Sequence, residues 1–172
     1  PLQYEAVRQA IAMGIDKQAI VDKFYPTGSS VADFFTPCAI PGGCEGDPWY
    51  KYDLEGAKKA LADAGYPNGF DIKLAYRDVV RGYLPQVSKV AEEIQAQLKK
   101  LGINATIDVQ ESGTFLDNAS NGKLEIFLLG WGADYPDQTN FLDAHFGKGA
   151  NDSFGKKFDD ITSVLIKAAS LA

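Results

Sequence analysis

The residues best suited to chemistry lie in the stretch 124–140, which reads LEIFLLGWGADYPDQTN. Its apolar run at 126–129 has the length and content of a buried strand. Trp131 follows between two glycines, and the acidic turn with Asp134 and Tyr135 comes directly after it. Because ligands of open α/β sheets bind outside the carboxyl ends of the strands, this stretch predicts a ligand-facing aromatic ring and carboxylate.

Each of these side chains also has a purely structural interpretation. Trp131 could pack at the edge of the sheet, and Asp134 could be a turn or capping residue. Asp134 and Asp137 could instead be the carboxylate pair of a glycosidase, which turnover of a substrate would reveal. The sequence contains no G-x-S-x-G, H-E-x-x-H or glycine-rich phosphate motif, so we favour binding without catalysis.

Two cysteines and one histidine are the other candidate chemical groups. Cys38 and Cys44 lie in the loop sequence PCAIPGGC, whose spacing permits a small disulfide loop and an extracytoplasmic location. Two free thiols are the alternative. His145 has no partners at metal-ligand spacing, so we interpret it as structural and predict neither a metal site nor a cofactor.

Length and charge narrow the class of protein. The chain has 172 residues, 45% hydrophobic and 23% charged, which is typical of one globular domain. Its net charge of −6 argues against a nucleic-acid partner. The sequence starts at Pro1 without an initiator Met and ends inside a periodic apolar pattern, so we expect a piece of a larger protein.

Periodicity and capping signals predict an α/β fold. Asp16, Asp53 and Ser112 are predicted helix N-caps, and the segment 31–52 is a predicted long loop. The predicted elements are helices 4–15, 17–24 and 54–64, strand 70–76, helix 84–101, strand 103–109, helix 112–120, strand 126–129, and helices 138–146 and 158–171. The central strand–helix–strand–helix–strand order predicts a small, mainly parallel sheet flanked by helices. Arg77 follows the first strand at the same edge, where it could meet an acidic ligand group.

Four stretches, taken together, resemble a known family. They are VRQAIAMGIDKQAIVD at 7–22, YDLEGAKKALADAGYPNGFDIKL at 52–74, IQAQLKKLGINATID at 94–108 and LLGWGADYPDQTNFLD at 128–143. In this order they resemble the family 5 solute-binding proteins of bacterial ABC transporters, the dipeptide, oligopeptide and nickel-binding type. The resemblance implies a periplasmic-binding-protein fold with two lobes. It also implies that residues 1–172 are one lobe, inserted in the middle of a sequence whose second lobe is missing here.

The resemblance also implies a function and a site. Such a receptor lies in the periplasm or, as a lipoprotein, on the outer face of the cell membrane, closes on its ligand and delivers it to an ABC permease. Asp134 matches the acidic residue that pairs with a peptide's α-ammonium, and Trp131, Gly132, Ala133 and Tyr135 would line the ligand. A peptide is the expected ligand, with an oligosaccharide or a metal chelate as alternatives. The strand at 126–130 lacks the arginine with which some relatives meet a peptide carboxylate.

Overall fold

The computed structural model describes residues 1–170, which form two compact units. The first unit contains Pro1–Val31, Tyr50–Phe115 and Glu125–Leu129. The second contains Ala32–Trp49, Leu116–Leu124 and the chain from Gly130 onward. The chain therefore leaves the first unit at the end of the predicted strand 126–129 and enters the second at the glycine before Trp131.

Helices and strands follow the predicted order, with modest shifts at their ends. The helices are α1 (Glu5–Gly14), α2 (Lys17–Phe24), α3 (Leu54–Asp63), α4 (Val87–Lys99), α5 (Ser112–Ser120), α6 (Thr139–Phe146) and α7 (Asp159–Ala169). The strands are β1 (Asp71–Arg77), β2 (Asn104–Gln110) and β3 (Ile126–Phe127). The predicted helix at 84–101 begins three residues late because Pro85 disfavours helical backbone at Leu84. Leu171, the last residue of the final predicted helix, lies outside the described residues.

The sheet confirms the predicted α/β class. Its three strands have the order β2-β1-β3, and both pairings are parallel. The prediction of a buried strand at 126–129 was wrong in extent, since β3 has two half-buried residues and Leu129 is 42% exposed. β3 is an edge strand that pairs only with β1, so its other side has no partner strand among the described residues.

The core of the first unit fills the space between the sheet and helices α1, α3 and α4. Its largest fully buried aliphatic side chains are Val7, Leu61, Leu74, Leu98 and Ile103. Val7, Leu61 and Leu98 lie at buried positions of the amphipathic helices α1, α3 and α4. Leu74 lies in β1, and Ile103 directly precedes β2. Hydrophobic burial therefore fixes how these elements pack in this unit.

A buried glutamine connects two parts of this core. The Gln97 side chain is 2% exposed; its Oε1 accepts a 2.7 Å hydrogen bond from the Asp16 backbone N–H, and its Nε2 donates to Glu93. Asp16 in turn caps α2, as predicted, by accepting from the backbone N–H of Ala19. Gln97 thus fixes α4 against the junction between α1 and α2.

The other two predicted caps had different outcomes. Asp53 accepts a hydrogen bond from the backbone N–H of Gly56 and caps α3 as predicted. Ser112 is not the cap of α5, because it is the first helical residue and the Glu111 carboxylate accepts from the backbone N–H of Thr114 instead. Hydrogen bonds from the Gly113 and Thr114 backbones lower the pKa of Glu111, which ties this carboxylate to the start of the helix.

The second unit contains α6, α7 and Ala32–Trp49, the middle of the long loop between α2 and α3. Cys38 and Cys44 are joined by a disulfide, with their Cα atoms 4.8 Å apart. A β-carbon at Gly43 would collide with the carbonyl oxygens of Pro37 and Ile40, so the tight closure of this loop requires glycine there. Within residues 1–170, no helix has the length and apolar content needed to cross a bilayer.

Val7→Ala tests the core of the first unit. Val7 is fully buried, and losing its two methyl groups should lower the free energy of unfolding by about 2 kcal/mol. Val80→Ala in the same unit is the matched control, since Val80 is 73% exposed and its loss should cost less than about 0.5 kcal/mol. Urea unfolding followed by circular dichroism measures both, and equal effects would contradict the packing described here.

The disulfide is tested by thiol titration. Denatured but unreduced protein should show no reactive thiol, and reduction should release both. Reduction should also lower the free energy of unfolding by about 2 kcal/mol, because the bridge closes a short loop. Two reactive thiols before reduction, in protein purified under oxidising conditions, would contradict the pairing.

Candidate ligand-binding site

The loop 131–135 is held in place by one buried amide of the second unit. Asn140 lies in the first turn of α6 and is 5% exposed. Its Oδ1 accepts a 3.0 Å hydrogen bond from Nε1 of Trp131 and a 3.2 Å hydrogen bond from the backbone N–H of Asp134. One oxygen therefore fixes both the aromatic ring and the backbone that carries the acidic side chain.

Aromatic side chains of the second unit pack around the Trp131 ring. The ring of His145 meets it edge-on, with centroids 5.2 Å apart and an interplanar angle of 84°. His145 packs in turn against Phe35 and Phe154, and its Nδ1 lies 2.6 Å from the carbonyl oxygen of Phe141, an atom that can only accept. Trp131 nevertheless stays 47% exposed, which leaves part of its ring available to a ligand.

The polar groups of the loop are also open to solvent. Asp134 is exposed, and within residues 1–170 its carboxylate makes no hydrogen bond or ion pair. Tyr135 is 50% exposed and its hydroxyl lies 3.3 Å from Oγ1 of Thr139. Gly132 and Ala133 are exposed between them, and a β-carbon at Gly132 would meet no atom within 4 Å. The loop thus presents a ring and a carboxylate on an open surface.

The start of α6 is built by a second acidic residue. Oδ1 of Asp137 accepts from the Thr139 hydroxyl at 2.7 Å and from the Thr139 backbone N–H at 2.9 Å. These bonds favour the ionised form and lower the pKa of Asp137 below its usual range. Gln138 donates to the carbonyl oxygen of Pro41, which attaches the same turn to the disulfide loop.

Comparison with known proteins identifies the family. A family model described as "Bacterial extracellular solute-binding proteins, family 5 Middle" matches residues 1–153. The chain belongs to this family. The dipeptide-binding protein of Escherichia coli is 34% identical over 152 residues, which are 88% of this chain and 28% of that protein. Heme-binding protein A of Haemophilus influenzae is 33% identical over 147 residues, which are 86% of this chain and 27% of that protein.

A solved structure of the family has the same fold. The ABC transporter-associated periplasmic binding protein DppA from Helicobacter pylori, in complex with the peptide STSA, superimposes with a TM-score of 0.84 at 31% identity. The match covers 95% of this chain and 32% of that one. The chain therefore spans about a third of the length of these family 5 relatives.

Arg77, the remaining predicted site residue, belongs to the first unit. It was predicted to follow the strand 70–76, but it is the last residue of β1, and its Nη1 donates a 2.9 Å hydrogen bond to Oγ of Ser112. The structure places it beside Gln110, its register partner at the end of β2. Trp131, Gly132, Ala133, Asp134 and Tyr135 all belong to the second unit.

Sequence reasoning missed Asn140 and the contact of His145 with Trp131. One signal for Asn140 was present, since asparagine near a helix start often hydrogen-bonds to nearby backbone groups. The Asn140 amide is buried next to Phe141 and therefore needs polar partners. Trp131 and Asp134, nine and six residues earlier in the chain, supply them. His145 was interpreted as structural, and among the described residues no group of three or more His, Cys, Asp or Glu side chains could hold a metal ion.

Asp137→Asn tests the start of α6 through the pH dependence of stability. The folded-state pKa of Asp137 is lowered, so its ionised carboxylate adds to the free energy of unfolding at pH values above its ordinary pKa of about 3.9. This stabilisation is lost as the pH falls through the folded-state pKa. The stability difference between the wild type and Asp137→Asn should therefore be constant well above the ordinary pKa and shrink as the pH falls below it toward the lowered folded value.

Urea unfolding at a series of pH values measures this difference. Thr139→Val removes the hydroxyl donor but keeps the backbone N–H, so the pH-dependent difference should become smaller in that background. A difference that is the same at both ends of the pH range would show that the two Thr139 bonds do not favour the ionised carboxylate.

Proposed function

We propose that this chain is one lobe of a two-lobed receptor that binds peptides through their free amino terminus. The observation that carries the proposal is an exposed Asp134 carboxylate in the same loop as the exposed Trp131 ring, with the Asp134 backbone and the Trp131 indole both held by Asn140. A peptide amino terminus joins an ammonium group to a variable side chain. The carboxylate can pair with the ammonium group, and the ring can pack against the side chain.

The physical reason is the cost of dehydrating an ammonium group. A cation taken from water into a closed cleft needs a charged hydrogen-bond partner, and a carboxylate is the strongest one that a side chain offers. The indole ring adds apolar contact area and attracts a nearby cation through its face. Asp134 carries a free carboxylate within the described part of the chain, unlike Asp137, whose Oδ1 already accepts two bonds.

The family relatives support the same ligand class. The Escherichia coli relative is named for dipeptides, and the Helicobacter pylori structure holds a tetrapeptide, STSA. The Haemophilus influenzae relative is named for heme, a metal chelate, so heme is the competing ligand. In our proposal Arg77 serves an acidic group of the ligand, and Gly132, Ala133 and Tyr135 complete the contact surface.

The rest of the proposed function concerns the second lobe and the membrane. We propose that another lobe closes over this one by a hinge motion, that the complex delivers the peptide to an ABC permease, and that this happens outside the cytoplasm. The Cys38–Cys44 disulfide suits an oxidising compartment. The ligand should be released chemically unchanged.

Asp134→Asn on the full-length receptor tests the amine contact. Calorimetric titration with the dipeptide Met-Leu should show affinity weakened by roughly 2–5 kcal/mol, because the buried ammonium loses its charge partner. N-acetyl-Met-Leu, which has no ammonium, should bind weakly to the wild type and equally weakly to the variant.

The matched control is Asp152→Asn, which makes the same change of charge at an exposed aspartate of the same unit. It should leave the affinity for Met-Leu unchanged. An unchanged affinity in Asp134→Asn would refute the amine contact. Binding of hemin but not of Met-Leu by the wild type would replace the peptide with a metal chelate.

A further inference from the structure

We infer that Asn140 is the positioning residue of the ligand-binding loop, the side chain that sets the direction of the Trp131 ring and the Asp134 backbone before a ligand arrives. This inference rests on the proposed function, in which these two residues contact the peptide. Asn140 does not itself face the ligand, because it is 5% exposed. It would act through the two residues that it holds.

The hydrogen bonds of the loop are concentrated on one atom. Among the described residues, Trp131, Gly132, Ala133 and Asp134 make just two hydrogen bonds, and Oδ1 of Asn140 accepts both, at 3.0 and 3.2 Å. A carbonyl oxygen has two lone pairs, so a single amide can satisfy both donors. Removing this oxygen would leave residues 131–134 with no hydrogen bond among the described residues, and only Tyr135 would keep its contacts with Thr139 and Asp137.

Asn140 is itself well anchored. It lies in the first turn of α6, and its backbone N–H donates to the carbonyl oxygen of Asp137 at 3.2 Å. The next residue, Phe141, is 5% exposed, and Gln138 attaches the same turn to Pro41 of the disulfide loop. The acceptor is therefore fixed by a helix, a buried ring and a bridged loop, whereas the residues it holds are exposed.

A fixed acceptor matters for binding because ordering a loop costs free energy. If Trp131 and Asp134 are held before the ligand arrives, that cost is met on folding and does not weaken the complex. The contact of His145 with the Trp131 ring is a packing contact. The hydrogen bond from Nε1 of Trp131 to Oδ1 of Asn140 is directional and fixes one edge of the ring.

Hydrogen exchange in ¹⁵N-labelled chain tests the inference directly. The chain has two tryptophans, so only Trp49 and Trp131 give indole signals, and Trp131→Phe assigns them. In the wild type, the Trp131 indole N–H and the Asp134 amide should be protected, while the Gly132 and Ala133 amides exchange rapidly. Equal exchange at all these sites would overturn the inference even without a variant.

Two substitutions then separate positioning from general packing. Asn140→Leu keeps the branched shape but removes the acceptor, and exchange of the Trp131 indole and the Asp134 amide should accelerate about tenfold. Asn140→Asp keeps an acceptor oxygen and should restore the wild-type protection. The Trp49 indole is the internal reference and should not change. Unchanged exchange in Asn140→Leu, or Asn140→Asp behaving like Asn140→Leu, would overturn the inference.

Titration of the full-length receptor and its Asn140 variants with Met-Leu, followed on the Trp131 indole signal, connects positioning with binding. The dissociation constant should rise about tenfold in Asn140→Leu and stay near the wild-type value in Asn140→Asp. If the wild type, including the full-length receptor, does not bind Met-Leu, the proposed function fails, while the exchange pattern still decides the positioning role. If exchange accelerates but affinity does not fall, the role of Asn140 in binding is refuted.

Discussion

Strand β1 hydrogen-bonds on both sides in parallel, and the rest of the first unit depends on this arrangement. Parallel neighbours cannot be joined by a hairpin, so the chain must cross back over the sheet between strands. Helix α4 makes the crossover from β1 to β2, and α5 lies between β2 and β3. Because all three strands run the same way, their carboxyl ends share one edge. The two-residue strand β3 is the last element before the chain leaves this unit for the loop that carries Trp131.

The second unit is stabilised by a different set of interactions. It contains no strand among the described residues, and α7 has no buried residue. Its order comes from the Cys38–Cys44 bridge, a cluster of aromatic rings around His145, and side-chain hydrogen bonds to the first turn of α6. Segments with few buried apolar contacts open most easily, and ligand-binding loops are commonly drawn from them. The hydrogen bonds to Asn140 therefore add to the one ring contact that supports Trp131, and they fix the exposed Asp134 backbone directly.

The sequence was a good guide to elements and a poor guide to contacts. Caps such as Asp16 and Asp53 could be predicted because each depends on a few neighbouring residues. The parallel sheet followed from the alternation of strands and helices. Local pattern could not reveal that Asn140 accepts from Trp131, because that bond depends on how the loop folds back onto α6. The burial of β3 was overestimated for a similar reason, since an apolar run does not reveal whether a strand is central or at an edge.

The same geometry weighs against the glycosidase interpretation of Asp134 and Asp137. That chemistry needs two carboxylates directed at one glycosidic bond, one to donate a proton and one to act as nucleophile or base. Asp137 accepts both Thr139 donors, and these bonds lower its pKa, so it lacks the raised pKa of a general acid and is engaged in starting α6. Asp134 then remains an exposed carboxylate in the same short loop as the exposed Trp131 ring. A lone carboxylate next to a ring can pair with a cation and hold it, which is what a receptor requires.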